Sequence, residues 1–441
     1  MGTSTKSTLW TILTLLAGCV LLVLVMMLGT YWRLKYRSRQ AGDVLAAEAW
    51  ALTTASERVA RPSHTDPPLP GTLHEALEPL MPELRSLRAD DGMLSSDNTL
   101  LQTYEDVQHG RRPLSELPGP YRELFEQDRL LMQRALRASR AEMGGLPKGL
   151  RDLDEPDHRG SIELFSSVFG LAALDVWSQL ENGQAGAALE TCLDGLALSR
   201  DVAYGSGTSG ARISASGYES LFHPCANALG RATPEGRKQA TLALRRIREG
   251  LRPLSWALRE KSVSFSLDLV GEVLAPEQIE ALPEGVRYQV LNPRSSCMEP
   301  DRRLIFYFLH DWPKWMEYHR QVAPLMDLPS EQRHARLVAL ERLSESMWVE
   351  GIDVASWGSS YEESAAHVDG QRARVDLLLA LALVKAHRAE HGTWPTTLPP
   401  LHPEREVLLP TVLKLQPAEG DTLRLVPEAT ALQELALTAT P

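Results

Sequence analysis

The apolar stretch over residues 9–32, LWTILTLLAGCVLLVLVMMLGTYW, constrains this chain more than any other feature. It contains no charged residue, and about 20 apolar residues at a rise of about 1.5 Å each match the ~30 Å hydrocarbon core of a bilayer. A helix satisfies its backbone amides internally, as lipid requires. The sequence therefore predicts one transmembrane helix that tethers the remaining chain, with Tyr31 and Trp32 at the level of the lipid headgroups.

Basic residues lie mainly on one side of this stretch. Arg33, Lys35, Arg37 and Arg39 follow it, whereas only Lys6 precedes it. Lys and Arg are retained on the cytoplasmic side of bacterial inner membranes and attract anionic headgroups. The charges therefore predict a cytoplasmic body. A periplasmic body stays open as the alternative, because large domains cross membranes regardless of flanking charge.

A lipoprotein signal is a second interpretation of the same stretch. Leu16-Ala17-Gly18-Cys19 is similar to a lipobox, in which the cysteine is lipidated. Lipoproteins usually turn polar after that cysteine, whereas residues 20–28 continue the apolar run. The continuing run favours an uncleaved span, so Cys19 is kept only as an alternative lipidation site.

Composition and charge narrow the class of the body. Of 441 residues, 43% are hydrophobic and 23% charged, which is typical of a globular chain, and Leu and Ala dominate the apolar share. The net charge of -11 argues against nucleic-acid binding, because phosphate contacts need concentrated Lys and Arg. We expect the membrane and other proteins as partners, and no nucleic acid.

The body contains Cys192, Cys225 and Cys297, with no C-x-x-C spacing that would indicate a zinc or redox motif. Three thiols fit a reducing compartment, or one pair with one cysteine left over. Cys192 lies in an apolar helical register and is predicted to be a small core residue. In an exported body, a bond between Cys225 and Cys297 is the pairing to test.

Four regions are predicted along the chain. Residues 1–40 form the membrane anchor with its basic cluster, residues 41–143 an N-terminal helical region, residues 161–391 the main helical domain, and residues 392–441 a C-terminal segment with a β-hairpin. The four prolines of residues 61–71 predict a stiff, extended spacer.

Hydrophobic spacing predicts helices through most of the body. The clearest case is a helical hairpin over residues 161–204, interrupted at Asn182-Gly183. Residues 205–217, rich in Gly and Ser, are predicted as a flexible loop, and residues 411–426 as a β-hairpin. The predicted fold class is therefore mostly α: a transmembrane helix, a helical bundle or irregular helical stack, and a small C-terminal β-hairpin.

The sharpest chemical pattern is His387-Arg388-Ala389-Glu390-His391, which has the H-x-x-E-H spacing of inverted zincins. Residues four apart share a helix face, so His387 and His391 could bind one zinc ion while Glu390 activates water. Gly392 ends the predicted helix at once, however, and a histidine at a helix C-terminus also complements the helix dipole. No third ligand is evident, so we expect no cofactor.

A second candidate is the aromatic-rich stretch around His310-Asp311-Trp312, with Lys314 and His319. An aromatic wall can bind a flat ligand, and an aspartate beside a histidine can raise its pKa. Adjacent residues on a helix point in different directions, which favours a packing seam over a ligand site.

Residues 372–401 carry a recognisable segment, in which an apolar helix runs into His391-Gly392-Thr393-Trp394-Pro395. This resembles a segment of major pseudopilins of type II secretion and of uncharacterised helical envelope proteins of bacteria. The chain departs from pseudopilins, because residues 9–32 contain no glutamate and hundreds of residues separate the two segments. The resemblance implies a structural segment and no known activity.

The function predicted from these features is non-enzymatic: a single-pass membrane protein whose helical body acts as a scaffold or interaction protein of the bacterial envelope. The alternative from another class is a membrane-bound metallohydrolase that uses His387, Glu390 and His391. A further alternative is an envelope lipoprotein attached through Cys19.

Overall fold

The structure is a computed structural model that describes residues 4–94, 98–151, 153, 162–270, 274–291, 311–344 and 354–441. It is 71% helical, with small sheets near the start and the end of the body. The predicted fold class is confirmed. The main elements are α1 (Ser4–Glu57), β1 (Leu69–Thr72), α2 (Leu73–Leu77), α3 (Met81–Leu94), α4 (Asn98–Gln108), α5 (Gly119–Ala138), β2 (Ala141–Met143), α6 (Leu164–Glu181), α7 (Ala185–Val202), α8 (Gly207–Arg231), α9 (Pro234–Glu249), α10 (Leu254–Val270), α11 (Pro276–Glu280), α12 (Glu284–Leu291), α13 (Asp311–Val322), α14 (Ser330–Ser344), α15 (Val354–His391), β3 (Leu413–Ala418), β4 (Thr422–Pro427) and β5 (Leu437–Ala439).

Helix α1 runs without a break from the apolar stretch into the body. It is long and apolar enough to cross a membrane, and its most apolar part makes no contact that buries it. Its C-terminal part is different, because Leu45, Ala49 and Leu52, spaced four and three residues apart, are fully buried. A single helix therefore contains both the candidate membrane span and part of the core.

The buried apolar residues form two clusters. The α1 cluster joins the C-terminal part of α1 to α10, α12, α13, α14 and the first half of α15. The main cluster contains α2 to α9, the second half of α15 and the C-terminal sheet. Helix α15 contributes to both clusters and links them along its length.

The helical hairpin predicted over residues 161–204 is present as α6 and α7, with Gly183 in the left-handed region at its turn. The loop predicted over residues 205–217 is wrong, because α8 begins at Gly207. A Cβ at Gly217 would collide with Phe169, so the glycine lets α8 pack against α6.

The proline-rich residues 61–71, predicted as an extended spacer, lie along the helical body. Arg61 and His64 are buried there, and β1 pairs with β2 in a short parallel sheet. The C-terminal hairpin is present as β3 and β4, and β5 adds a third antiparallel strand. Charged side chains, described below, explain why the proline-rich segment stays on the body.

Substitution of Ala49 by leucine tests whether α1 is part of the folded core. Extra methylenes in a packed site cost about 1–3 kcal/mol, so we expect Ala49→Leu to lower the free energy of unfolding by that amount. Ala47 is exposed on the same helix, and Ala47→Leu is the matched control with little expected change. Denaturant unfolding of the full chain in detergent measures both; equal effects of the two variants would contradict the packing of α1 against the body.

Candidate functional site

The C-terminal end of α15 brings together the residues of the H-x-x-E-H pattern. The rings of His387 and His391 stack with centroids 4.3 Å apart, as expected for positions one turn apart. His387 Nδ1 lies 3.1 Å from the carbonyl oxygen of Thr393, and His391 Nδ1 lies 3.0 Å from that of His387. Glu390 and His391 are exposed. Both imidazoles therefore donate Nδ1–H to the backbone that ends the helix.

This geometry gives the two histidines a structural role in closing α15. Within the residues that the structure describes, no group of three or more His, Cys, Asp or Glu side chains is arranged to hold a metal ion. A zincin needs a third protein ligand besides the two histidines. The zinc site at His387, Glu390 and His391 stays a prediction without such a ligand in the described part of the chain.

The turn after α15 is built as its sequence predicts. Gly392 has a φ of +74°, which a glycine adopts without strain, and the helix ends at His391. Trp394 folds back, so that its indole Nε1–H donates to the carbonyl oxygen of Asp421 at 3.0 Å. Arg388 stacks 4.4 Å from the Trp394 ring and forms a bidentate pair with the Asp421 carboxylate. The turn is thereby fixed to the C-terminal sheet.

The aromatic-rich candidate is only partly described. His310 lies outside the described residues, as do the side chains of Asp311, Trp312 and Lys314. His319 is buried, and its Nε2 lies 2.6 Å from the Tyr361 hydroxyl, with the two rings perpendicular. This arrangement is a packing contact between α13 and α15.

A cleft of about 270 Å³ lies between α1, α10 and α13. Its charged side chains are close to partners of opposite charge: Arg259 is 3.7 Å from Glu48, and Arg320 is 2.7 Å from Glu317. The Asp327 carboxylate accepts a hydrogen bond from the backbone amide of Leu254. The cleft is lined by Glu48, Ser255, Arg259, Ser262, Met316, His319, Arg320, Ala323, Pro324 and Asp327.

A buried ion-pair network holds the proline-rich segment on the body. Arg61 donates to both carboxylate oxygens of Asp201, at 2.9 and 2.8 Å. Arg200 donates to the same carboxylate at 2.8 Å and to the carbonyl of Pro62 at 2.9 Å. All three charged side chains are fully buried. One carboxylate therefore pairs with two arginines, and the attraction between the opposite charges offsets the cost of burying these three side chains.

His64 extends this network. Its Nε2–H donates to Asp194 at 2.9 Å, and Arg140 donates to the same carboxylate at 2.7 Å. Burial lowers the pKa of His64, and the hydrogen bond and charge of Asp194 only partly oppose that effect. The imidazole is therefore neutral in the folded protein at neutral pH.

Acidification tests this assignment. Between the ordinary His pKa of 6.5 and the lowered pKa of His64, the unfolded chain binds a proton that the folded chain does not, so the free energy of unfolding falls as pH decreases. The slope from one group is at most about 1.4 kcal/mol per pH unit. Denaturant unfolding over this range should show a shallower slope for His64→Gln than for the wild type. An unchanged slope in the variant would contradict a neutral buried His64.

A second buried pair fixes the segment after the α15 turn. Arg248 Nε donates to Asp376 at 3.0 Å, and His402 Nε2 lies 3.0 Å from the same oxygen. Burial acts to raise the pKa of Asp376, but the hydrogen bond from His402, the charge of Arg248 and the amide of Thr411 together lower it. The ionised carboxylate therefore joins α9, α15 and residues 402–411.

The cysteines occupy two different settings. Cys192 on α7 and Cys225 on α8 form a disulfide, and both residues are buried. Cys225 therefore pairs with Cys192 in this structure, not with Cys297, which lies outside the described residues. Cys19 is a free, exposed residue within the continuous helix α1. The core position predicted for Cys192 is confirmed, and its bond to Cys225 is the part that the sequence left open.

A comparison of the chain with protein-family models, with curated proteins and with solved structures finds no match.

Proposed function

We propose that the chain is a single-pass protein of a bacterial inner membrane, and that its helical body is a non-enzymatic scaffold for other envelope proteins. The observation that carries the proposal is the unbroken helix α1, which contains both the apolar span and the core residues Leu45, Ala49 and Leu52. A continuous helix of this kind sets the distance between membrane and body, because it rises about 1.5 Å per residue. Partner proteins would therefore bind the body at a fixed distance from the membrane.

The use of the buried charges supports a scaffold over an enzyme. Catalytic acids and bases are held with perturbed pKa values at a cavity that a substrate can enter. Here the buried carboxylates of Asp194, Asp201 and Asp376 are all bound by arginines from neighbouring segments. These carboxylates therefore hold one segment of the chain against another.

We further propose that the body lies on the exported side of the membrane. The basic cluster at Arg33 to Arg39 favours the cytoplasm, whereas the Cys192–Cys225 disulfide favours an oxidising compartment. We give the disulfide more weight, because cytoplasmic thiols are kept reduced while large domains cross membranes regardless of nearby charge.

Sidedness is tested with two C-terminal reporters on the full chain, alkaline phosphatase, which is active only after export, and green fluorescent protein, which matures only in the cytoplasm. We expect phosphatase activity and no fluorescence. The reverse result would place the body in the cytoplasm, as the flanking charges predict. Cys19→Ala is made alongside, because release of the protein by this variant would indicate a lipoprotein.

The scaffold proposal is tested by photo-crosslinking in cells, with a photoreactive amino acid at the exposed positions Leu130, Leu242 or Val412 of the full chain. We expect a discrete protein adduct from at least one position, identified by mass spectrometry and abolished when the partner is deleted. Zinc content is measured on the same purified chain. Stoichiometric zinc in the wild type that is lost in His387→Ala, together with no adduct, would contradict the scaffold proposal and favour the metallohydrolase.

A further inference from the structure

Three basic side chains from two helices come together beside the α15 turn. Arg237 lies in the second turn of α9, and Lys385 and Arg388 lie one turn apart near the end of α15. We call these three residues the basic patch. Helix α9 packs directly against α15. The charges of Arg237 and Arg388 both lower the pKa of Lys385, after the larger effect of its burial. The helix packing thus holds like charges close together.

Among the described residues, the basic patch has one carboxylate partner, Asp421. Arg388 is paired with Asp421, whose side chain is 67% exposed, so this carboxylate also reaches solvent. Within the described part of the chain, neither Lys385 nor Arg237 forms an ion pair, and the Arg237 guanidinium donates from Nη1 to the backbone carbonyl oxygen of Ala232. The whole chain has 57 acidic and 46 basic residues. Of the three cations, Arg388 alone has a carboxylate partner among the described residues, so Lys385 and Arg237 carry charge that an anion from outside the chain can neutralise.

The basic patch is also shaped to present its charges. Arg388 is held on one side by the Trp394 ring at 4.4 Å, and Lys385 and Arg237 are half-buried. Fixed cations lose less side-chain entropy on binding an anion than mobile ones do. A guanidinium and an ammonium both donate charge-assisted hydrogen bonds to a carboxylate.

The position of the basic patch favours a protein over the lipid surface. Val368 is the last α15 residue of the cluster that contains α1, and Lys385 follows it by 17 residues, or about 25 Å along the helix. That distance separates the basic patch from the cluster built on the membrane helix. The basic residues next to the span, at Arg33 to Arg39, are the ones placed for lipid headgroups.

We propose that Arg237, Lys385 and Arg388 form a docking site for a glutamate- or aspartate-rich segment of a partner protein. The inference rests on the proposed scaffold function and names the surface and the chemistry that serve it. Carboxylates of the segment bind the Arg237 guanidinium and the Lys385 ammonium, and neutralise the repulsion among the three cations.

The test uses the full chain in detergent and a fluorescein-labelled poly-glutamate peptide, with poly-glutamine as the neutral control peptide. We expect saturable binding of poly-glutamate, measured by anisotropy, that weakens as salt is raised. The double variant Lys385→Gln, Arg237→Gln should bind at least roughly tenfold more weakly, because it loses two charge-assisted contacts. Lys414→Gln is the matched control, since Lys414 is exposed and paired with Glu428 on the C-terminal sheet.

Several outcomes would overturn the docking site. Equal affinity of the double variant, or no preference for poly-glutamate over poly-glutamine, would place any binding elsewhere. Vesicles of phosphatidylglycerol that bind through Lys385 and Arg237 when poly-glutamate does not would make the site a lipid contact. Unfolding curves of the double variant exclude loss of fold as the cause. Photo-crosslinked adducts without poly-glutamate binding would contradict the docking site and leave the scaffold proposal standing. Stoichiometric zinc without adducts would contradict the scaffold proposal itself.

Discussion

Asp201→Asn is expected to cause the largest loss of stability of any single substitution considered for this chain. The variant keeps the shape of the side chain and removes the charge that Arg61 and Arg200 share. Both arginines are fully buried, with Asp201 accepting from each at 2.8–2.9 Å. Removing one partner of a buried ion pair costs about 3–5 kcal/mol, because the remaining charge is left without compensation. Two stranded guanidiniums place Asp201→Asn at or above the upper end of that range.

The free energy of unfolding is measured by denaturant titration of the full chain in detergent, with limited proteolysis at residues 58–72 as a local readout. Detachment of the proline-rich segment should make these residues the first site of cleavage. Asp421→Asn is the matched control: the Asp421 side chain is 67% exposed, and ion pairs in contact with solvent contribute about 0–1 kcal/mol. If Asp201→Asn loses no more stability than Asp421→Asn, the buried network does not hold the segment as described.

Loss of the Cys192–Cys225 disulfide is expected to have the second largest effect. The bond closes a loop with a sequence separation of 33 residues. Release of a loop of this length adds about 3–4 kcal/mol of chain entropy to the unfolded state, so the double variant Cys192→Ala, Cys225→Ala should be less stable by that amount. Both cysteines are buried between α7 and α8, so the variant also tests how these helices stay packed.

The control for the disulfide is reduction. Unfolding in the presence of reductant should lower the midpoint for the wild type and leave the double alanine variant unchanged. Alkylation of the denatured chain from membranes, followed by mass spectrometry, shows whether the two thiols are oxidised in cells. Free thiols at both positions, with no effect of reductant on stability, would contradict the disulfide and return the body to a reducing compartment.

Local patterns in the sequence were sufficient for several elements. The uncharged apolar run of residues 9–32 predicted the long apolar helix, apolar residues at helical spacing predicted the α6–α7 hairpin, and residues 411–426 were predicted as the hairpin that β3 and β4 form. Gly392 predicted the end of α15, because a left-handed residue is needed where a helix stops. These features depend on residues within a few turns of one another.

The glycines of residues 205–217 led to a wrong prediction of a loop, because a tertiary contact decides the role of Gly217. Residues 205–217 carry the composition of a loop, yet most of them belong to α8. Gly217 lies against Phe169 of α6, so that no side chain could be added there without a shift. The same residue type serves flexibility in a loop and close packing in a helix, and only its neighbours distinguish the two.

The sequence by itself determined the long apolar helix, the helical class and the α6–α7 hairpin, because hydrophobic periodicity and chain breakers act over short distances. The tertiary structure alone decided which charges meet. Arg61 and Asp201 are 140 residues apart, and Arg248 and Asp376 are 128 residues apart. No local signal joins residues so distant, since any arginine can pair with any carboxylate until packing buries both. For the same reason the pairing of Cys192 with Cys225, and the grouping of Arg237 with Lys385 and Arg388, became visible only once the helices were in place.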